Sequence, residues 1–272
     1  MQTNIQRYNR HLLATGLFII AYIPVFMRMW ERWWARDSYY SHGILIPFVT
    51  AFFIWQIRDE LRVMKPKESA WGMPLIVAGV LIHLAASLLR INFISAFSML
   101  LVLSGLVLFF FGNDIFRKIL FPICFLAFMI PLPEVAIANI SFKMKLFAAQ
   151  LALNVIHGIG IQAIRDGSMV KMPHAVVVVD DVCSGLRSLI SLMALGSIFA
   201  YWFKGAMWRR VLIFVCAIPI AVITNMCRVV ILSVIAEVWG AKYAEGLVHD
   251  ATGMLVFVLA FMLLYAVMKL LE

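Results

Sequence analysis

Eight long apolar segments constrain this chain more than any other feature. They lie near residues 11–29, 42–57, 73–90, 94–112, 117–133, 184–203, 210–234 and 251–269. A helix needs about 17–25 apolar residues to cross a bilayer. The fifth segment carries Pro122, Pro131 and Pro133, which predicts a kinked or short helix there. Of the 272 residues, 64% are hydrophobic and 14% charged. A soluble domain is nearer half apolar and a quarter charged. The expected fold is therefore an all-α polytopic membrane protein of about eight transmembrane helices. Residues 1–272 are read as a single integral membrane domain in contact with membrane lipid.

The net charge of +9 is modest for a nucleic-acid binder, and no nucleic-acid partner is expected. The short loops explain it better. With the N-terminus inside, twelve basic residues fall on the inner side, from Arg7 and Arg10 to Lys269. Only four, Arg28, Arg32, Arg36 and Arg90, fall on short outer loops. Cytoplasmic loops carry the excess of Lys and Arg, so both termini are expected in the cytoplasm. Leu12–Met27 follows Arg7 and Arg10 without a small-residue cleavage site, and is read as an uncleaved first span.

Residues 134–183 are too long and varied for a plain loop. Asn139, Lys143, Gln150, Asn154 and His157 fall within roughly 60° on a wheel of 3.6 residues per turn. That pattern predicts an outer interfacial amphipathic helix over Glu134–His157; a helix packed in the bundle would look similar. Gly160–Arg165 and Ser168–Met172 flank Asp166-Gly167, a two-residue hairpin signal. The β-branched run Ala175–Val179 follows Pro173. A small outer β-hairpin or three-stranded meander is expected, delivering the chain to Cys183.

Cys183 stands in Val182-Cys183-Ser184-Gly185-Leu186-Arg187, between that extended run and an apolar helix. Ser and Gly suit a helix start, and the positive end of a helix dipole favours thiolate. Val211 to Arg228 covers 18 residues, about 27 Å of helix, so Arg228 is expected close to the outer surface. Asn225 lies on a neighbouring part of the same face. An arginine this deep is a functional candidate, the alternative being one that snorkels to the interface. His249 and Asp250 precede the last span, which is expected to begin at about Ala251. Topology thus puts Cys183, Arg228 and His249 at one membrane face, which is a shared depth and not a contact. A nucleophilic thiol needs a base or an imidazolium partner, and a cation for a developing oxyanion. Asp180 and Asp181 oppose thiolate formation. Pointing away, pairing with Arg187 or Arg165, and binding a basic substrate segment are all open to them.

The other cysteines lack metal-ligand spacing, and no metal or cofactor is expected. Cys124 and Cys216 read as packing residues. Cys227 is at the depth of Cys183, which leaves a disulfide open, although positions 227 and 228 point about 100° apart. His83 reads as a hydrogen-bonded interhelical residue. For His42, lining a site and capping a helix start are equally open.

V-x-x-x-C-S-G-L-R at 179–187, N-x-x-R at Asn225–Arg228, and His249 followed by Gly253 resemble the exosortase/archaeosortase family. Tyr40-Ser41-His42-Gly43 with Pro47, and Pro131-Leu132-Pro133, carry the same resemblance. Bacterial exosortases are proposed to process proteins with a C-terminal Pro-Glu-Pro signal, a transmembrane helix and a basic tail. The resemblance implies a membrane cysteine protease or transpeptidase in the bacterial inner membrane, its site on the periplasmic side. Cys183 would be the nucleophile, His249 the general acid/base, and Arg228 the group that stabilises the oxyanion or orients substrate. Asn225, Arg187, Ser184 and His42, which belong to the same motifs, would support or bind substrate. Its partners would be exported proteins with C-terminal transmembrane sorting signals.

Two other classes compete. A transport component for exopolysaccharide export predicts paired polar residues near mid-bilayer and often duplicated halves, which the sequence lacks. A thiol-redox membrane protein needs paired reactive cysteines, for which only Cys183 and Cys227 qualify.

Overall fold

Apolar length is expressed as helix almost throughout. The computed structural model describes residues 2–35, 38–180 and 184–272. They divide into two units, Met1–Pro133 and Glu134–Glu272.

The first unit holds α1 (Gln2–Trp34), a 3₁₀ turn (Ser41–Ile44), α2 (Leu45–Gln56) and the short α3 (Arg58–Val63). It continues with α4 (Gly72–Leu88), α5 (Asn92–Phe125) and a 3₁₀ turn (Leu126–Met129). α5 covers two segments that read as separate spans. They meet at Gly112, where φ is 83°. The break between the two is at this glycine, because only glycine takes that conformation without strain, and the helix after it is short, ending at Phe125 ahead of Pro131 and Pro133. The Lys67 and Ser69 amides donate to the Phe111 and Leu108 carbonyls at 3.3 and 3.2 Å, supplying partners beside the break. α4 and α5 approach so closely at Gly72, Gly79 and Gly105 that a Cβ would collide with the facing helix. Small residues of this kind let helices pack without a water-driven hydrophobic force. A polar chain links three helices: Tyr22 Oη to Ser98 Oγ (3.0 Å), and Ser95 Oγ to His83 Nδ1 (3.0 Å). His83 is thus interhelical and hydrogen-bonded.

The second unit is α6 (Glu134–Gly158), β1 (Ile164–Asp166), β2 (Met169–Lys171), β3 (Val176–Val178), α7 (Leu186–Trp202), α8 (Met207–Trp239) and α9 (Leu247–Leu271). α8 is its axis. Leu192 and Phe199 of α7, Ile213 and Ala217 of α8, and Ala260 and Leu264 of α9 form one core. Ala149, Ala152 and Ile156 of α6 form another with Val170, Val179, Val229 and Ala236. The polar residues Asn139, Lys143, Asn154 and His157 of α6 stay exposed.

The meander is antiparallel in the order β1-β2-β3. Its first turn is shifted by one residue from the expected Asp166-Gly167. Asp166 pairs with Met169 in the ladder, so the loop is Gly167-Ser168. Gly167 has φ 61° and Ser168 is not left-handed, the pattern of a type II′ turn. Asp166 stays in the strand, where Lys171 Nζ meets its carboxylate at 2.6 Å. That contact holds the Asp166 carboxyl below its usual range.

Among the described residues, five helices are long and apolar enough to cross a membrane: Asn9–Trp34, Asn92–Met129, Glu134–Gly158, Met207–Trp239 and Leu247–Leu271. Ser41–Gln56, Gly72–Leu88 and Leu186–Trp202 are shorter apolar helices. The fold is an all-α polytopic membrane protein with one small sheet.

Candidate functional site

Gly185 sets the start of α7. Its φ is 79°, and a Cβ there would lie 2.7 Å from Asn225 Cγ. Both facts demand glycine, so the main chain of Gly185 rests on the Asn225 side chain of α8. Ser184, 1% exposed, accepts the Leu186 amide on its Oγ at 3.3 Å. Ser188 Oγ donates to the Gly185 carbonyl at 2.8 Å. These two local bonds fix the first turn of α7. Cys183 lies immediately before this turn and outside the described residues, as does Asp181. Arg187 is half-buried on the turn and makes no ion pair with another described residue.

Asn225 and Arg228 are one helical turn apart on the buried face of α8. Arg228 is only 9% exposed. Its Nη2 donates to the main-chain carbonyl of His249 at 3.2 Å. Gly253 leaves the space that the guanidinium fills, since a Cβ there would stand 3.3 Å from Nη2 and 3.4 Å from Cζ. Arg228 Nε is buried without a hydrogen-bond partner among the described residues. A buried donor of this kind is costly to leave unmatched.

α9 starts a turn earlier than the sequence suggests, at Leu247 after Gly246 (φ 60°). The left-handed glycine ends the preceding turn, and Asp250 in the first turn suits the helix dipole. His249 therefore lies inside the helix and not in the loop before it. Thr252 Oγ1 donates to the same His249 carbonyl at 2.9 Å, so that oxygen takes two side-chain donors. The half-buried His249 ring feels the charges of Arg228, Asp250 and Asp180.

Asp180 pairs with neither Arg187 nor Arg165. Arg165 Nη1 instead donates to the Leu146 and Gly167 carbonyls, both at 3.4 Å. Asp180 and His249 share the lining of a cavity of about 210 Å³ with Val176–Val179 and residues of α8. Ala241, Ala244 and Glu245, on the way into α9, close its other side.

Site residues that sequence reasoning passed over are Glu237 and Thr252. Glu237, an acid near the end of an apolar span, is 9% exposed and takes both the amide and the ring of His174. Its position was the one available signal.

Two motif residues are in the first unit. His42 is in the 3₁₀ turn Ser41–Ile44, its ring stacked 6.0 Å from that of Tyr40. Tyr40 Oη accepts the Leu132 amide at 3.2 Å, which joins the Tyr-Ser-His-Gly and Pro-Leu-Pro motifs. Cys124, Cys216 and Cys227 are free thiols. Cys124 is exposed, which corrects its reading as a packing residue: it lies on the outward face of α5.

The family model described as transmembrane exosortase matches residues 33–266. No curated protein and no solved structure matches the chain.

Proposed function

Because the chain belongs to the transmembrane exosortase family, we propose that it is a membrane-embedded cysteine protease or transpeptidase. It cleaves C-terminal sorting signals of exported proteins at the outer face of the inner membrane, and both of its termini are cytoplasmic. The substrate enters as a transmembrane helix with its scissile peptide at the outer surface.

Cys183 is the nucleophile in this reading. Its proton passes to His249, the thiolate attacks the scissile carbonyl to form a C–S bond, and the oxygen of that carbonyl becomes an oxyanion. Arg228 faces the developing charge. Collapse breaks the C–N bond, leaves a thioester on Cys183, and sends the amine away with a proton from His249. Water or an amine acceptor then attacks the thioester carbon, giving a proton to His249, and the C–S bond breaks to release the new carboxylate or amide and return the Cys183 thiolate. Asn225, Ser184 and Arg187 support the arrangement, and His42 belongs to the substrate-facing set.

The observation that carries the reading is the Arg228 guanidinium. It is buried, tied through Nη2 to the first turn of α9 beside His249, and keeps Nε unmatched among the described residues. A preorganised donor in a water-poor site is the arrangement that stabilises an oxyanion.

The test uses the full chain in its own membrane. Cys183→Ala, inserted and abundant at the wild-type level, leaves the sorted protein uncut. A thioester between Cys183 and the truncated protein, released by hydroxylamine, identifies the intermediate. Normal trimming by Cys183→Ala sinks the proposal.

A further inference from the structure

We propose that the substrate binds as an added β-strand on the free edge of β3, in the groove over α8 that ends at His249. This deepens the protease reading and rests on it.

The ladder defines which main-chain groups are free. The Val179 amide donates to the Ser168 carbonyl at 3.0 Å, and the Met172 amide to the Ala175 carbonyl at 2.8 Å. Residue pairs 168/179 and 172/175 are therefore the hydrogen-bonded kind, and so is Val170/Val177 between them. In an antiparallel pair the bonded and non-bonded pairs alternate. Val176 and Val178 thus turn their amides and carbonyls away from β2. Among the described residues β3 is the last strand of its sheet, so these groups face an open edge. The Val178 carbonyl takes the Asp180 amide at 3.1 Å and keeps a second lone pair. An open edge is a template for another strand.

The surroundings select one occupant. Beside this edge, the buried Val229, Leu232 and Ala236 of α8 contribute to the lining, which makes the surroundings of the edge apolar. Ala241, Ala244, Asp180 and His249 complete the lining. The inner face of β3 is already seated, with Val179 1% exposed on the core. The His174–Glu237 contacts pin the start of the strand to the end of α8. An extended peptide would add to this edge: alternate amides bond to Val176 and Val178, and alternate side chains pair with the half-exposed Val176 and Val178 side chains. The groove then leads the chain to His249. Recognition is therefore mainly of main chain, with small or apolar side chains every second residue. Proline is accepted only where the amide faces away from β3.

The experiment starts by comparing exported proteins from cells with the wild-type chain and with Cys183→Ala, which identifies a protein whose trimming needs Cys183. A synthetic peptide spanning its cut site is then the probe, with the purified full chain in lipid nanodiscs. Each amide upstream of the cut is N-methylated in turn. Binding is expected to weaken about tenfold at every second amide and hold at those between, as loss of one hydrogen bond allows. Val176→Pro and Val178→Pro, which remove edge amides outside the ladder, are expected to weaken binding of the unmethylated peptide similarly. A methylation scan without two-residue periodicity overturns strand addition and leaves the protease reading standing. If no exported protein depends on Cys183, the protease reading fails, and this inference fails with it. The scan uses the unaltered enzyme, so it decides the question even if the proline variants misfold.

Discussion

Arg228 Nη2 and the main-chain carbonyl of His249 are 3.2 Å apart. The arginine thus fixes the backbone that carries the histidine, and not the imidazole itself. One side chain ties the middle of α8 to the first turn of α9, while its Nε stays buried and unmatched among the described residues. In the proposed mechanism, the oxyanion donor and the position of the base depend on the same residue.

Arg228→Lys keeps the charge and loses the planar fork that bonds a carbonyl and a reacting oxygen together. Cleavage by Arg228→Lys is expected to fall about 10²-fold, and by Arg228→Ala about 10²–10³-fold, the range for loss of an oxyanion donor. Pulse-chase trimming of a Cys183-dependent protein, normalised to enzyme abundance, measures both. A lysine variant at the wild-type rate would remove the arginine from the chemistry.

Gly253→Ala tests the same contact without removing a functional group. The added methyl would stand 3.3 Å from Nη2, tight enough to displace the guanidinium by a few tenths of an ångström. Small misplacements of a catalytic group cost rate steeply. A fall of about tenfold in kcat is expected, with KM and the melting temperature in detergent close to wild type. A change in KM alone would point to substrate binding instead.

Gly185→Ala should act through stability. The left-handed φ of 79° alone costs a non-glycine residue about 1–2 kcal/mol. The clash with Asn225 Cγ adds to it. Thermal unfolding of the two variants in detergent separates the contributions. Asn225→Ala in the Gly185→Ala background removes the contacts at 2.7 and 2.8 Å but keeps Cβ at 3.0 Å, so it is expected to recover part of the clash and leave the backbone cost.

The helices were legible because apolar length is a local property; α4, α7 and α8 begin within three residues of where their runs predict. The meander was legible for a similar reason: Val176–Val179 is β-branched, and a glycine follows Asp166. What remained hidden depends on contacts distant in sequence. The turn moved to Gly167-Ser168 because Asp166 pairs with Met169 in the ladder, and its carboxylate is held there by Lys171. The break within α5 at Gly112 falls where the fourth apolar run was read to end, but the Lys67–Ser69 backbone that crosses there could be seen only in the fold. At the site, sequence placed Arg228 and His249 at one depth. It could not show that the arginine takes the carbonyl. The role of Asp180 as groove lining, rather than as an ion-pair partner of Arg165 or Arg187, likewise required the fold.

Glu237 holds the strand that borders the groove. Its carboxylate accepts the His174 amide at 3.1 Å and meets the His174 ring at 2.8 Å. The acid is 9% exposed while the histidine is 79% exposed, so the anchor is set from the α8 side. Glu237→Ala removes both contacts and should free the chain between β2 and β3. Hydrogen exchange at Val177 and Val179, whose amides belong to the ladder, is then expected to quicken about tenfold, since local opening costs less. Glu237→Gln keeps an acceptor for the His174 amide and should lie between. Cleavage should fall in the same order, because a loosened β3 presents its edge less of the time. Unchanged exchange in Glu237→Ala would show that the hydrophobic seat of Val179 holds the strand alone. Faster exchange with full cleavage would separate the strand from substrate handling.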